Sequence, residues 1–230
     1  DGASWGPLIP RLASRHRLII LDNRGSGRTK AEGTLSLLDM ADDCAALFDR
    51  LGIAAADVAG HSMGGHLGLL LAARHPARVK RLVTMASGII DDKKRILFRD
   101  MARLYFTTPP EDWFRLLYQW LFGPGFFASE QAVADAAAAS TAYPFRQSPA
   151  DFARQVAAID ALDPPVDLTR VTCPVLAIAA ELDLLAPPAA VMALHAKVPD
   201  VTTTTIPGAA HSVHWEAPDA VAEAIRDFLA

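Results

Sequence analysis

The sequence has few cysteines and no long apolar run. These two features argue against a disulfide-rich, cysteine-metal or membrane-spanning protein. Cys44 and Cys173 are its two cysteines among 230 residues, too few and too far apart for a disulfide framework or a cysteine-rich metal site. No apolar stretch approaches the roughly 18 residues that span a bilayer. The longest, Leu67 to Ala73, is typical of a buried helix segment. We therefore expect no membrane span, and two core thiols that suit a reducing compartment.

An excess of charge of one sign is also missing. The 22 Lys and Arg against 26 Asp and Glu give a net charge of -4, and no basic block suggests contact with a phosphate backbone. We therefore do not expect nucleic acid as a partner, and a small-molecule substrate is favoured. With 51% hydrophobic residues, the chain is large enough for one domain with a full core.

The sequence does not begin with methionine. The chain opens on Asp1 and continues directly into Gly2, Ala3, Ser4 and Trp5. We expect that it begins inside a longer protein, in which case a signal peptide would lie upstream of Asp1. A cytoplasmic location is therefore a default expectation, and the oligomeric state stays open.

Apolar β-type runs alternate with longer helical stretches along the chain, which indicates a parallel sheet covered by helices. The predicted helices cover about residues 37–51, 63–75, 188–197 and 217–229. The predicted strands are Leu18 to Leu21, Asp57 to Ala59, Leu82 to Met85, Val175 to Ile178 and Val201 to Ile206. We predict an α/β fold with a mostly parallel sheet flanked by helices.

Residues 91–163 break this alternation, because they contain no convincing strand and carry most of the aromatic residues. We interpret them as a helical cap inserted into a core formed by residues 1–90 and 164–230. The aromatic side chains either form the small core of the cap or line an apolar substrate pocket, and both interpretations stay open. Trp113, Trp120 and Phe126 are the candidates for the pocket.

The run Gly60–Gly65, GHSMGG, sets Ser62 between glycines where a strand gives way to a helix. A serine on so tight a turn needs small neighbours, and we expect a β-carbon at position 60 or 64 to collide with the backbone. The turn exposes the Ser62 hydroxyl at a helix N-terminus, where free N–H groups favour developing negative charge. The run predicts a nucleophile elbow, although such a short pattern also arises by chance.

An acid and a histidine follow this serine in the order that such a site needs. Asp183 and Glu181 both follow the strand from Val175; we prefer the shorter Asp183, with Glu181 a loop hydrogen-bonder or solvated charge. His211 lies on a glycine-containing loop after the strand that ends at Ile206, whereas His214 is closer to the final helix and more typical of packing. Two histidines at i and i+3 with no third ligand do not favour zinc. Ser62, Asp183 and His211 thus form the candidate catalytic triad.

With the segment Leu21–Arg28, LDNRGSGR, which is similar to an Asp-x-Arg-Gly-x-Gly loop, the sequence resembles the α/β-hydrolase superfamily over essentially its whole length. Within it, the chain looks like the esterase, lactonase and C-C hydrolase group that carries a helical cap. Arg24 is then structural or near the mouth of the site, and His61 and His66 are packed. Gly25-Ser26-Gly27 lacks the third glycine and the lysine of a phosphate loop.

The resemblance implies a mechanism without cofactor or metal. His211 would take the Ser62 proton, Asp183 would hold the imidazole, and water would release the acyl group. The Met63 N–H would be one oxyanion donor, and the second is expected from a segment upstream of Asp1. We expect the first strands to be missing from this chain, which would leave a gap between the strands near Leu18 and Val58 and an unstable or poorly active fragment.

The expected function is hydrolysis of a small, largely apolar carboxylic ester or lactone through an acyl-enzyme. A C-C bond hydrolase or a cofactor-free haloperoxidase-like enzyme is the alternative, since the same residues would serve. A ligand-binding receptor on a hydrolase fold is the non-enzyme alternative. Epoxide hydrolases and haloalkane dehalogenases are disfavoured, because they use a carboxylate where Ser62 stands.

Overall fold

Four parallel strands form one sheet in the sequential order β1-β2-β3-β4 in this computed structural model, which describes residues 1–161 and 167–230. The predicted α/β fold with a parallel sheet is confirmed. The strands are β1 Ala56–His61, β2 Val79–Met85, β3 Val175–Ala180 and β4 Val201–Ile206.

Helices stand between successive strands in the chain, as in a parallel sheet that is covered by helices. Proline stands in the first turn of α8 and of α10, where its missing N–H costs no hydrogen bond. No helix in the described part of the chain is long and apolar enough to cross a bilayer. The helices are α1 Ile9–Leu12, α2 Leu37–Arg50, α3 Met63–Arg74, α4 Asp92–Tyr105, α5 Pro110–Leu121, α6 Glu130–Ala142, α7 Pro149–Asp160, α8 Pro188–His195, α9 Val213–Glu216 and α10 Pro218–Leu229.

Both faces of the sheet are covered, as the alternation along β3 shows. Ile178 packs in one hydrophobic cluster with Ile225 of α10, whereas its neighbour Ala177 packs with Val191 of α8. All six residues of β3 are buried, which explains why its sequence is a continuous apolar run instead of an alternating one. The sheet therefore holds the loops at its carboxyl edge on a rigid base.

The predicted strand Leu18 to Leu21 is wrong, because this segment carries no strand hydrogen bonding. A cavity of about 800 Å³ lies between it and β1, and both segments line that cavity. Within the described residues, β1 pairs with β2 alone, so its other edge lacks a partner strand. An extended apolar segment becomes a strand only where a neighbouring strand supplies hydrogen bonds. Here the cavity separates the segment from β1, so the two do not pair.

The helices α4 to α7 lie between β2 and β3 in the chain, in the stretch predicted to be the cap, and we call them the cap. α5 packs on α6, and α4 packs on α7. The interior of the cap is aromatic: the ring of Tyr105 stacks on Trp113 with centroids 3.8 Å apart. The predicted boundary at residues 163 and 164 lies outside the described residues.

Candidate active site

Ser62 occupies a strained turn between β1 and α3. Its backbone has φ 53° and ψ -118°, a conformation that non-glycine residues rarely adopt. A β-carbon on Gly60 would lie 2.1 Å from the carbonyl oxygen of Gly64, so position 60 accepts only glycine, as expected. The turn holds the Ser62 hydroxyl clear of its own backbone.

The second glycine at which a β-carbon would collide is Gly65, one residue later than the sequence suggested. A β-carbon on Gly64 would meet no atom within 4 Å, so the expectation of a collision there is wrong. A β-carbon on Gly65 would lie 2.0 Å from the Oγ of Ser87. That hydroxyl donates to the carbonyl oxygen of Ser62 at 2.8 Å and stabilises the strained turn. Ser87 is a supporting residue that no sequence motif marks.

Ser62, His211 and Asp183 form one continuous chain of hydrogen bonds. The Nε2 of His211 lies 2.9 Å from the Oγ of Ser62, and its Nδ1 lies 2.9 Å from the Oδ2 of Asp183. Asp183 and His211 are almost completely buried, at 3% and 4% exposed. Such burial shields the carboxylate and imidazole from water and so strengthens their electrostatic interaction.

The two alternative residues lie elsewhere. The Oε2 of Glu181 accepts a hydrogen bond from the N–H of Gly208 at 2.8 Å, which agrees with a loop hydrogen-bonder. The ring of His214 is buried with its centroid 4.3 Å from that of His61, and burial lowers the pKa of His214 to about 4. His214 is thus a buried, neutral residue beside the candidate triad.

His61 is packed, as expected, and it also holds the loop of the triad histidine. Its Nε2 lies 2.7 Å from the carbonyl oxygen of His211, and because a carbonyl can only accept, the ring nitrogen is the donor. Burial keeps the pKa of His61 well below its usual value. His66 makes a similar contact, with Nε2 3.1 Å from the carbonyl oxygen of Gly88, and burial lowers its pKa to about 4.

None of the three predicted pocket aromatics lines the cavity that reaches Ser62. Trp113 is 2% exposed, and its Nε1 donates to the carbonyl oxygen of Met101 inside the cap. Phe126 stacks on Phe122 with centroids 4.2 Å apart. The expected place of Trp113, Trp120 and Phe126 in a substrate pocket is thus not found at this cavity. Trp113 and Phe126 pack against other aromatic rings of the cap instead.

Among the described residues of the cap, two glutamines line this cavity. The Nε2 of Gln147 donates to the carbonyl oxygen of Gly25 and to the Oε1 of Gln155, each at 2.9 Å. Arg24, which precedes Gly25, makes a bidentate contact with Asp43 of α2 and is structural. The cap side of the cavity is thus more polar than the sequence suggested, because amide groups take the place of the expected aromatic rings.

Met63 is the first residue of α3, where a backbone N–H has no intrahelical acceptor. It lies directly after Ser62, so its N–H is a candidate donor to an oxyanion formed at that serine. Among residues 1–161 and 167–230, no group of three or more His, Cys, Asp or Glu side chains is placed to hold a metal ion.

The model of one protein family, described as "alpha/beta hydrolase fold", matches residues 1–218. A curated relative from Azorhizobium caulinodans, named "Putative carbamate hydrolase RutD", is 36% identical over 132 residues, which are 56% of this chain and 49% of that protein. The chain spans about half the length, or less, of the curated relatives it matches.

Solved structures resemble the whole chain. The enol-lactonase from Burkholderia xenovorans LB400 has a TM-score of 0.86 at 26% identity, and the match covers 100% of this chain and 86% of that one. The "Putative non-heme bromoperoxidase BpoC" from Mycobacterium tuberculosis H37Rv has a TM-score of 0.85 at 29% identity, covering 100% and 87%. Because the family model matches nearly all of the sequence, this chain belongs to the alpha/beta hydrolase fold family.

Proposed function

We propose that this protein is a serine hydrolase that cleaves a small carboxylic ester or lactone through an acyl-enzyme intermediate. The observation that carries the proposal is the hydrogen-bond chain from Ser62 through His211 to Asp183. A serine hydroxyl is a weak nucleophile until a base accepts its proton, and a histidine held by a buried carboxylate is such a base.

In the first step, Nε2 of His211 takes the proton of Ser62 while Oγ attacks the carbonyl carbon of the substrate. Asp183 keeps the other ring proton on Nδ1 and stabilises the imidazolium that forms. His211 then gives its proton to the leaving oxygen. In the second step, His211 activates a water that attacks the acyl-enzyme, and Ser62 leaves with its proton restored. The N–H of Met63 stabilises both oxyanions.

Two findings bear on the substrate class. The likeness to an enol-lactonase over the full chain favours an ester or lactone. The RutD relatives favour a carbamate as the second candidate, and a carbamate carbonyl undergoes the same attack by serine.

The test compares the full-length wild type with Ser62→Ala on p-nitrophenyl esters, a lactone and a carbamate. We expect Ser62→Ala to lose at least about 1,000-fold in kcat/KM, because no other hydroxyl can form the acyl-enzyme. The matched control is Ser140→Ala, since Ser140 bonds Tyr118 within the cap, and it should retain the wild-type rate. Equal rates for wild type and Ser62→Ala would refute the proposal.

A fluorophosphonate probe separates the remaining candidates. A hydrolase should be labelled at Ser62, and Ser62→Ala should not be labelled. Absence of labelling in the wild type would favour a ligand-binding receptor. Labelling without ester, lactone or carbamate turnover would favour a C-C bond hydrolase or a haloperoxidase-like enzyme, for which the same three residues serve.

A further inference from the structure

The carboxylate of Glu216 joins the cap to the loop that carries His211. Its Oε1 accepts the backbone N–H of Gly123 in the cap at 2.8 Å, and its Oε2 accepts the backbone N–H of Ala210 at 2.8 Å. Both oxygens of one side chain are thus used, one on each side of the junction. Hydrogen bonds to a charged acceptor are stronger than neutral ones.

A second bond between cap and loop lies close by. The backbone N–H of Ser212 donates to the carbonyl oxygen of Leu121, at the end of α5, at 2.7 Å. His211 stands between Ala210 and Ser212, so the N–H groups on both sides of it are bound to Glu216 or to the cap. Its own carbonyl is bound to His61 of the core. Three residues, Glu216, Leu121 and His61, therefore determine where the His211 backbone lies.

Gly123 fits this arrangement closely. A β-carbon there would lie 3.2 Å from the Oε1 of Glu216 and 3.6 Å from the Cβ of Ala210. The space between the cap and the His211 loop is therefore filled. Displacement of the cap would break two hydrogen bonds at once, the one from Ser212 to the carbonyl oxygen of Leu121 and the one from Gly123 to Glu216. The carboxylate does not line the cavity that reaches Ser62, which separates this role from substrate contact.

We propose that Glu216 is a positioning residue that couples docking of the cap to alignment of the His211 imidazole with Ser62. This rests on the hydrolase function proposed above. With the cap docked, Glu216 and Leu121 hold the segment 210–212 so that Nε2 of His211 reaches the Ser62 hydroxyl. With the cap displaced, the bonds to Leu121 and from Gly123 are broken, the segment is free to shift, and proton transfer from Ser62 to His211 becomes slower.

Two substitutions break the bridge from opposite sides. Glu216→Gln keeps one acceptor oxygen and turns an NH₂ group toward the other N–H. Gly123→Pro removes the donor in the cap, and its ring takes the place of the N–H that faces Oε1, so it also displaces the carboxylate. The φ of -79° and ψ of 175° at this position, and the extended Phe122 before it, are compatible with a proline backbone. The matched control is Glu181→Gln, which alters a similar carboxylate bond to the N–H of Gly208 but leaves the cap bridge intact.

We expect Glu216→Gln and Gly123→Pro each to lower kcat about tenfold, the effect of one lost charge-assisted bond, with KM changed less than about twofold. The double variant should be no worse than either single variant, since both remove the same bridge. Glu181→Gln should keep the wild-type kcat. A wild-type kcat for Glu216→Gln, or an equal loss for Glu181→Gln, contradicts the proposal.

Amide hydrogen exchange tests the coupling without turnover. In Gly123→Pro, the amides of Ala210 and Ser212 should exchange about tenfold faster although the substitution lies in the cap. Unchanged exchange at both amides overturns the coupling. If the wild type neither hydrolyses a substrate nor reacts with a fluorophosphonate, the hydrolase function fails, and the exchange data still decide whether Glu216 links cap and loop.

Discussion

Asp183 holds His211 through one oxygen while its other oxygen is occupied by the backbone. The Oδ2 lies 2.9 Å from Nδ1 of His211. The Oδ1 accepts the N–H groups of Leu185 and Ala186, each at 2.8 Å. The carboxylate therefore cannot rotate without losing two backbone bonds, and its orientation toward the imidazole is fixed.

Asp183→Asn should reverse the tautomer of His211. The asparagine oxygen will stay with the two backbone donors, so its NH₂ group faces Nδ1, which must then be the acceptor. The proton moves to Nε2, which can no longer take the proton of Ser62. We expect kcat to fall about 10,000-fold with folding unchanged, measured by ester hydrolysis and circular dichroism. The isosteric control Glu181→Gln should keep its activity; a loss of less than tenfold in Asp183→Asn would count against the assigned acid.

Gly64→Ala and Gly65→Ala should behave differently although the glycines are adjacent. A methyl group at 65 meets the Oγ of Ser87 at 2.0 Å and must displace it from the Ser62 carbonyl, whereas a methyl group at 64 meets nothing within 4 Å. We expect Gly65→Ala to lose about 1–3 kcal/mol of unfolding free energy and most activity, and Gly64→Ala to keep both. Denaturant titration and ester turnover measure these effects. Equal stability of the two variants would contradict the assigned contacts.

Acid should destabilise the protein between about pH 6.5 and 4. Burial lowers the pKa of His66 from its model-peptide value of 6.5 to about 4, so in this window the unfolded chain binds a proton that the folded chain does not. Unfolding then takes up protons, and the free energy of unfolding falls as the pH decreases.

His66→Gln keeps a donor for the carbonyl of Gly88 and removes this titration. Its free energy of unfolding should depend less steeply on pH in that window, by at most about one proton or 1.4 kcal/mol per pH unit. Buried His61 and His214 add a slope of the same sign, which remains. Denaturant titrations from pH 4 to 7.5 measure the free energy of unfolding of the wild type and the variant. Above pH 7 the two curves should run parallel. Parallel curves throughout would show that His66 takes up its proton with the same pKa in the folded and unfolded states.

The isolated 230-residue chain should be unstable or poorly active. Among the described residues, the edge of β1 away from β2 has no partner strand and faces a cavity of about 800 Å³, and a buried backbone group without a partner costs roughly 1–3 kcal/mol. We expect broad thermal unfolding and binding of a hydrophobic dye, measured by calorimetry and fluorescence. Cooperative unfolding together with full ester turnover by residues 1–230 would show this prediction to be wrong.

The sequence by itself determined the structural elements that depend only on patterns of a few neighbouring residues. The glycines around Ser62 mark a tight turn, the apolar run from Val175 marks a strand covered on both faces, and proline marks the first turn of α10. Each signal depends on a few neighbouring residues, and each appears in the structure. The order of the candidate triad along the chain followed from the same signals.

The tertiary structure alone decided which side chains meet. Local spacing cannot distinguish Asp183 from Glu181, because both follow the same strand, and the choice depends on which of them faces His211 across the sheet edge. The cap aromatics pack on one another, and Glu216 bridges two segments that lie 93 positions apart in sequence. Such contacts depend on how distant elements pack, and no periodicity of the chain encodes that packing.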